Sequence, residues 1–188
     1  MAKKFDIKIE NIVACTALGI KIPLEVLVDH LEGTEYEPEQ FPGLVYRIKD
    51  PKAATLIFSS GKIVCTGARS IEDVKKVIKK VVKVLKEKKI GDPGKYKITI
   101  ENIVASSKLD NNLNLDQIAF ELEDSEYEPE QFPGLVYRMK DPKVAFLLFS
   151  SGKIIITGGR RIEDVEVAVK TLSKKLKDMS LSKKLKDI

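Results

Sequence analysis

The chain has 188 residues, 43% hydrophobic and 32% charged, with a formal net charge of +5. That mix belongs to a folded domain with a real core rather than a disordered chain. No apolar run approaches the ~18–20 residues of a membrane span, and the opening MAKKFDIKIEN lacks a signal peptide's apolar stretch, so a cytoplasmic protein without a targeting signal is expected. Two cysteines, Cys15 and Cys65, and one histidine, His30, are too few for a disulfide framework or the usual zinc sites. No Walker or Rossmann glycine loop is present, so neither a metal nor a cofactor is expected. The positive excess sits mostly in the first half, with 17 Lys/Arg against 13 Asp/Glu in residues 1–94 and 16 against 15 in 95–188.

In chain order, Phe5–Ala14 is rich in Ile and Val and alternates, which predicts a strand. Pro23–Leu31 carries Leu24, Leu27, Val28 and Leu31 at helical spacing, with Pro23 suited to a first helical position. Short strands are then expected at Glu35–Glu39, Leu44–Lys49, Ala53–Phe58 and Lys62–Thr66, separated by Phe-Pro-Gly, Asp-Pro-Lys and Ser-Ser-Gly turns. Ile71–Lys89 reads as an amphipathic helix: Val74, Val77, Ile78, Val81, Val82 and Leu85 form one stripe, with a lysine face opposite. Ser70 and Asp73 resemble a capping box at its start. Gly91-Asp92-Pro93-Gly94 reads as a linker.

The whole unit then recurs. Tyr36–Arg47 reads YEPEQFPGLVYR and so does Tyr127–Arg138, an offset of 91 residues. Over Glu35–Val74 the two copies share 32 of 40 residues, while Cys15–Thr34 matches poorly. A period this long is not that of a solenoid; it implies two copies of one small α+β unit, residues 1–94 and 95–188, the second ending in a basic tail where SKKLKD occurs twice, at Ser173–Asp178 and Ser182–Asp187.

A sheet covered by helices on one side needs one apolar face. Here both faces of the strands are apolar. Ile12, Ala14, Ile57, Ile63 and Cys65 can pack under the helices, which leaves Val13, Leu56, Phe58 and Val64 without a cover. Either these residues enter a sandwich core, for which the chain offers no second layer, or they face a partner.

The constellation NIVA, YEPEQFPGLVYR, LIFSSGKIVCTG and LLFSSGKIIITG, in this order and spacing, resembles the core of the TATA-box-binding protein family, of archaeal type, from about Phe5 to Lys177. The resemblance implies an α+β, pseudo-twofold saddle: a curved ten-stranded antiparallel sheet with helices on the convex face. It implies a transcription initiation factor that is no enzyme, binds the TATA element in the minor groove, bends the DNA, and recruits transcription factor B and RNA polymerase. Phe41 and Phe58, with Phe132 and Phe149, match the family's intercalating wedges; each pair is 17 residues apart. Asn11, Val13, Leu56, Val64 and Thr66, with Asn102, Val104, Leu147, Ile155 and Thr157, match its groove-contacting residues. Arg47, Ser60, Lys62 and Arg69, with Arg138, Ser151, Lys153 and Arg160, match its phosphate-contacting rim. Glu128, Glu130 and Gln131 match the docking point for transcription factor B.

The residues by themselves leave plainer readings open. The phenylalanines read equally as core, the asparagines as locally bonded, the lysines as solvated, and His30 as structural. Glu37, Glu39, Glu128 and Glu130 alternate as if on strands, but no third acid or histidine joins them for acid–base or metal chemistry. Two other functions compete: a saddle-like nucleic-acid-binding module of a repair or RNA-processing system, and a peptide-binding interaction module. A homodimer off DNA is a further way to hide the apolar face.

Overall fold

The protein, described by a computed structural model over residues 5–184, resolves into two units: residues 10–102, and residues 103 onward together with the segment before Glu10. The first repeat contains β1 (Lys8–Ala17), α1 (Leu24–Val28), β2 (Thr34–Glu35), β3 (Gly43–Ile48), β4 (Ala53–Phe58), β5 (Lys62–Ala68) and α2 (Ile71–Glu87). The second contains β6 (Thr99–Lys108), α3 (Leu115–Glu121), β7 (Ser125–Glu126), β8 (Leu135–Met139), β9 (Val144–Leu148), β10 (Lys153–Gly159) and α4 (Ile162–Lys184). The strand order is β2-β3-β4-β5-β1-β6-β10-β9-β8-β7, and within each repeat neighbouring strands are antiparallel. The expected α+β fold of two repeats, with a ten-stranded sheet and four helices, is the fold observed.

Helix α2 forms where its apolar residues recur every three to four positions, and all six of its stripe residues are buried. Its N-terminus is closed by Ser70, whose side chain accepts the Asp73 N–H at 3.0 Å. In the second repeat Arg161 stands at the corresponding place and binds the Asp164 carboxylate instead, its Nε 3.0 Å from Oδ2, which holds the Asp164 carboxyl below its usual range. Beneath the helices, Ile12, Ala14, Ile57, Ile63 and Cys65 are fully buried, as are Ile103, Ala105, Ile154 and Ile156 in the other repeat. Burial pushes the Cys65 thiol up to about 11. Cys65 points into the core, Cys15 lies on the opposite parity, and both are free.

Several element boundaries differ from the expectation. Pro23 is the residue before α1, not its first turn, and the helix runs only from Leu24 to Val28. No side chain caps it, and the His30 N–H bonds back to the Leu27 carbonyl, a tighter turn that ends it. The strand expected at Glu35–Glu39 stops at Glu35. Pro38 has no N–H to pair, and the N–H groups of Gln40 and Phe41 both bond to the Glu37 carbonyl, so Glu37 and Glu39 lie in a turn. Glu128 accepts from Gln131 and Phe132 in the same way. The first strand starts at Lys8 and runs on to Ala17. The second SKKLKD copy continues α4 as far as Lys184; its remaining residues lie outside those described. Among the described residues, no helix is long and apolar enough to cross a membrane.

Candidate nucleic-acid interface

Alternation along each strand puts one set of side chains under the helices and the other on an open face. In the first repeat, register aligns Cys15, Val64, Leu56, Val45 and Glu35 in one row across β1, β5, β4, β3 and β2. A second row runs Thr66, Ala54, Arg47. The second repeat builds the same rows from Ser106, Ile155, Leu147, Val136 and Glu126, and from Thr157, Ala145 and Arg138. Val13, Leu56, Phe58 and Val64 are half-buried with no protein layer over them, and so are Val104, Leu147, Phe149 and Ile155. The sandwich reading is therefore overturned: among the described residues all ten strands lie in one sheet, and none forms a second layer over this face.

At one end of each face two phenylalanine rings meet edge to face. Phe41 and Phe58 have centroids 5.8 Å apart at 66°, and Phe132 and Phe149 5.9 Å apart at 68°. Phe41 and Phe132 are 38% and 39% exposed, which removes them from the core. The rings lie over glycine. A Cβ on Gly43 would stand 2.7 Å from Phe41 Cε1 and 3.0 Å from Phe58 Cε1; on Gly134 the distances to Phe132 and Phe149 are 2.7 and 3.1 Å. The Phe-Pro-Gly turn thus supplies one ring, the end of β4 or the turn after β9 supplies the other, and the missing Cβ lets them close.

Asn11 owes its place to a bulge. Ile12 pairs with Ala68 and Ala14 with Cys65, so β5 carries one extra residue at Thr66–Gly67. Gly67 sits at φ +88°, and its N–H, which the ladder leaves over, donates to Asn11 Oδ1 at 2.7 Å. This turns the amide oxygen toward Gly67, with Thr66 Oγ1 3.4 Å from both the oxygen and the nitrogen of the amide. The Gly67 bond crosses from β1 to β5 rather than joining Asn11 to its neighbours in the sequence, and it orients the NH₂ group. In the second repeat Ile156 pairs with Ala105 and Gly159 with Ile103, the same bulge, with Gly158 at φ +98°. Asn102 and Thr157 stand half-buried at the matching positions.

Arg47, Lys62 and Arg69, and Arg138, Lys153 and Arg160, are all exposed, as are Ser60 and Ser151 in the β4–β5 and β9–β10 turns. Arg47 grips Glu35 with two bonds of 3.3 Å, whereas Arg138 reaches Glu126 at 4.0 Å. Glu128, Glu130 and Gln131 are exposed in the turn that carries Phe132. Cys15 Sγ donates to Glu101 Oε1 at 3.1 Å, and that bond, then burial, raises its thiol above the usual range. Sequence reasoning missed Val45, Ala54, Glu35 and their counterparts Val136, Ala145 and Glu126 on the open face. Period-two counting from buried Leu44 would have found Val45. It also missed Gly43 and Gly134, which the repeated Phe-Pro-Gly turn marked without saying why.

The two repeats thus carry two copies of one surface, an apolar sheet face with an edge pair of aromatic rings and exposed cations. Among the described residues no group of acids, histidine and cysteines is placed to hold a metal. Comparison with known proteins makes the class specific. Residues 6–88 and 97–179 each match the family described as transcription factor TFIID, or TATA-binding protein. The TATA-box-binding protein of Methanobrevibacter smithii is 53% identical over 176 residues, 94% of this chain and 97% of that one. That of Methanothermobacter thermautotrophicus is 52% identical over 176 residues, again 94% and 97%. The solved structure of the Methanococcus jannaschii TBP is 51% identical and superposes with a TM-score of 0.87, covering 92% of this chain and 98% of that one. The chain belongs to the TATA-box-binding protein family, whose members are DNA-binding transcription factors and not enzymes.

Proposed function

We propose that this protein initiates transcription by binding the TATA element through the minor groove, bending the duplex, and recruiting transcription factor B and RNA polymerase. The observation that carries the reading is the open apolar face that ends, in both repeats, in an edge-to-face phenylalanine pair seated over glycine. Phe41 with Phe58, and Phe132 with Phe149, wedge into base steps; a buried ring replaces lost stacking, whose cost is a few kcal/mol per step. Val13, Leu56 and Val64, and Val104, Leu147 and Ile155, form a flat apolar floor. Such a floor leaves a guanine amino group without a partner, whereas A·T pairs present only acceptors there. Asn11 and Asn102 offer amide donors to those acceptors, with Thr66 and Thr157 beside them. Arg47, Ser60, Lys62, Arg69, Arg138, Ser151, Lys153 and Arg160 hold phosphates, which positions the protein without reading sequence. Glu128, Glu130 and Gln131 receive transcription factor B. Residues 1–94 and 95–188 act as the two halves, and the protein works in the cytoplasm on the nucleoid.

A gel-shift and bending assay tests this. The protein is expected to bind a TATA duplex at least tenfold more tightly than one with central G·C pairs. Phe149→Ala is expected to lose about tenfold or more in affinity and part of the bend, with its thermal midpoint nearly unchanged. Equal binding to both duplexes, or a Phe149→Ala variant that unfolds while bending as before, refutes the assignment.

A further inference from the structure

The short helix of the second repeat carries a side chain that the fold does not use. Phe120 on α3 is 93% exposed, while no other exposed large apolar side chain described exceeds 50%. Its counterpart, 91 residues earlier, is Asp29. The helix itself is held by other residues: Leu115 and Ile118 are buried, Asn114 caps it by accepting the Gln117 N–H, and Ser125 Oγ donates to the Leu122 carbonyl at 2.6 Å. The chain on both sides of Phe120 is acidic, and the cations that follow it, Arg138 and Lys140, pair with Glu126 and Asp124 at 4.0 and 2.8 Å. From Leu109 to Tyr137 there are eight carboxylates and no lysine or arginine; Leu18–Tyr46 has six and one lysine. Glu121, Glu123, Glu126, Glu128 and Glu130 are all exposed. A fully exposed aromatic ring in an acidic stretch of chain, with Glu121, Glu123, Glu128 and Glu130 exposed, has the makeup of an interface anchor with a charged rim.

We propose that Phe120 anchors a protein partner whose surface offers an apolar pocket ringed by lysine and arginine, and that this partner is the one received by the acidic turn at Glu128 and Glu130. The inference rests on that reading of the turn. Because Asp29 stands at the equivalent place, this anchor exists in one repeat only. It therefore distinguishes the two halves of a protein whose turns, YEPEQFPG, are identical.

The test uses the full chain on a TATA duplex with purified transcription factor B as the probe. Phe120→Ser is expected to keep its thermal midpoint and its affinity for DNA alone within twofold, yet to need at least tenfold more transcription factor B for the supershift. Phe120→Leu is expected to restore most of it. The Glu128→Lys/Glu130→Lys variant tests the underlying reading separately. If that variant loses the supershift while Phe120→Ser keeps it, Phe120 is no anchor and the turn reading survives. A loss in Phe120→Ser alone supports the anchor and removes the turn. No effect of either variant, or no supershift by the unaltered protein, overturns both. If Phe120→Ser instead converts a dimer to a monomer in sedimentation and leaves the supershift intact, the occupant is a second copy and the proposal is wrong.

Discussion

The two repeats differ from each other far more under the helices than on the open face. Of the eight substitutions between Glu35–Val74 and its copy, six fall on covered positions: Ile48/Met139, Ala53/Val144, Thr55/Phe146, Ile57/Leu148, Cys65/Ile156 and Ala68/Gly159. One falls at the helix cap, Ser70/Arg161, and one on the open face, Val64/Ile155. The covered set has changed in size: Thr55/Phe146, Ala53/Val144 and Cys65/Ile156 are larger in the second repeat, and only Ala68/Gly159 is smaller. Where the first repeat buries Thr55, the second buries Phe146, which stacks on Tyr137 at 6.0 Å and 19°, with Lys175 Nζ 3.0 Å from the tyrosine hydroxyl. Cores accept hydrophobic exchange where the surrounding residues repack around it. Among the described residues no layer packs over the open face, yet Val45, Ala54, Leu56, Phe58 and Thr66 recur unchanged. A surface that stays the same without internal packing answers to something outside the chain.

That contrast breaks most directly at two adjacent residues. Phe146 is fully buried and Leu147 faces outward beside it. Phe146→Ala is expected to cost about 3–5 kcal/mol of stability through the cavity it leaves, while the molecules still folded bind DNA as before. Leu147→Ala is expected to do the reverse, with a near-normal urea midpoint and weaker binding to a TATA duplex. Loss of both properties in both variants would mean that the two faces are not energetically separate.

A second comparison concerns charge. Glu35 holds Arg47 by two bonds, whereas Glu126 lies 4.0 Å from Arg138. Glu35 occupies two of the five Arg47 donors and sets a negative charge beside any phosphate that Arg47 meets. Both pairs are exposed, so each is worth at most about 1 kcal/mol. Glu35→Ala is therefore expected to tighten DNA binding by up to about fivefold at low salt, and Glu126→Ala by less. Arg138→Ala is expected to lower the slope of log affinity against log salt by about one. Equal gains from the two glutamate variants would show that the tighter pair has no consequence for binding.

Much of this was legible beforehand, and the reasons are physical. The period-two sorting of Ile12, Ala14, Ile57, Ile63 and Cys65 from Val13, Leu56, Phe58 and Val64 gave the two faces, because a strand cannot turn a side chain without slipping its register. The long helix α2 and its Ser70 cap were legible for the same local reason. What escaped depended on tertiary geometry. The bulge at Thr66–Gly67 needs the partner strand to exist, and without it Asn11 looks merely polar. Gly43 and Gly134 looked like turn glycines until two rings from separate segments were seen above each. The exposed state of Phe120 was hidden because helical spacing of Leu115, Ile118 and Leu122 does not say which flanking residue the neighbouring elements leave uncovered.

The near-identity of the two open faces has a directional consequence, and it is the smallest effect expected. Asn11, Val13, Phe41, Leu56, Phe58 and Thr66 recur as Asn102, Val104, Phe132, Leu147, Phe149 and Thr157. On the apolar floor the differences are Val64 against Ile155 and Cys15 against Ser106; at its rim, beside Lys62 and Lys153, Ala17 stands against Lys108. One methylene of apolar contact is worth roughly 0.8 kcal/mol. A tenfold preference needs about 1.4 kcal/mol, so the methylene gives only about fourfold. The protein alone is therefore expected to bind a TATA element in both directions, with a bias of about fourfold and below tenfold. Direction must come from a partner that reads what differs between the repeats: Gly33-Thr34 against Asp124-Ser125, and Asp29 against Phe120. A cleavage reagent tethered to one repeat, with the DNA end-labelled, would give two cut patterns from the protein alone. Adding transcription factor B would leave one, and the Phe120→Ser variant would return the second. One pattern from the protein alone would show that the repeats already differ enough to orient it, and would direct attention to the unequal Arg47–Glu35 and Arg138–Glu126 pairs as the cause.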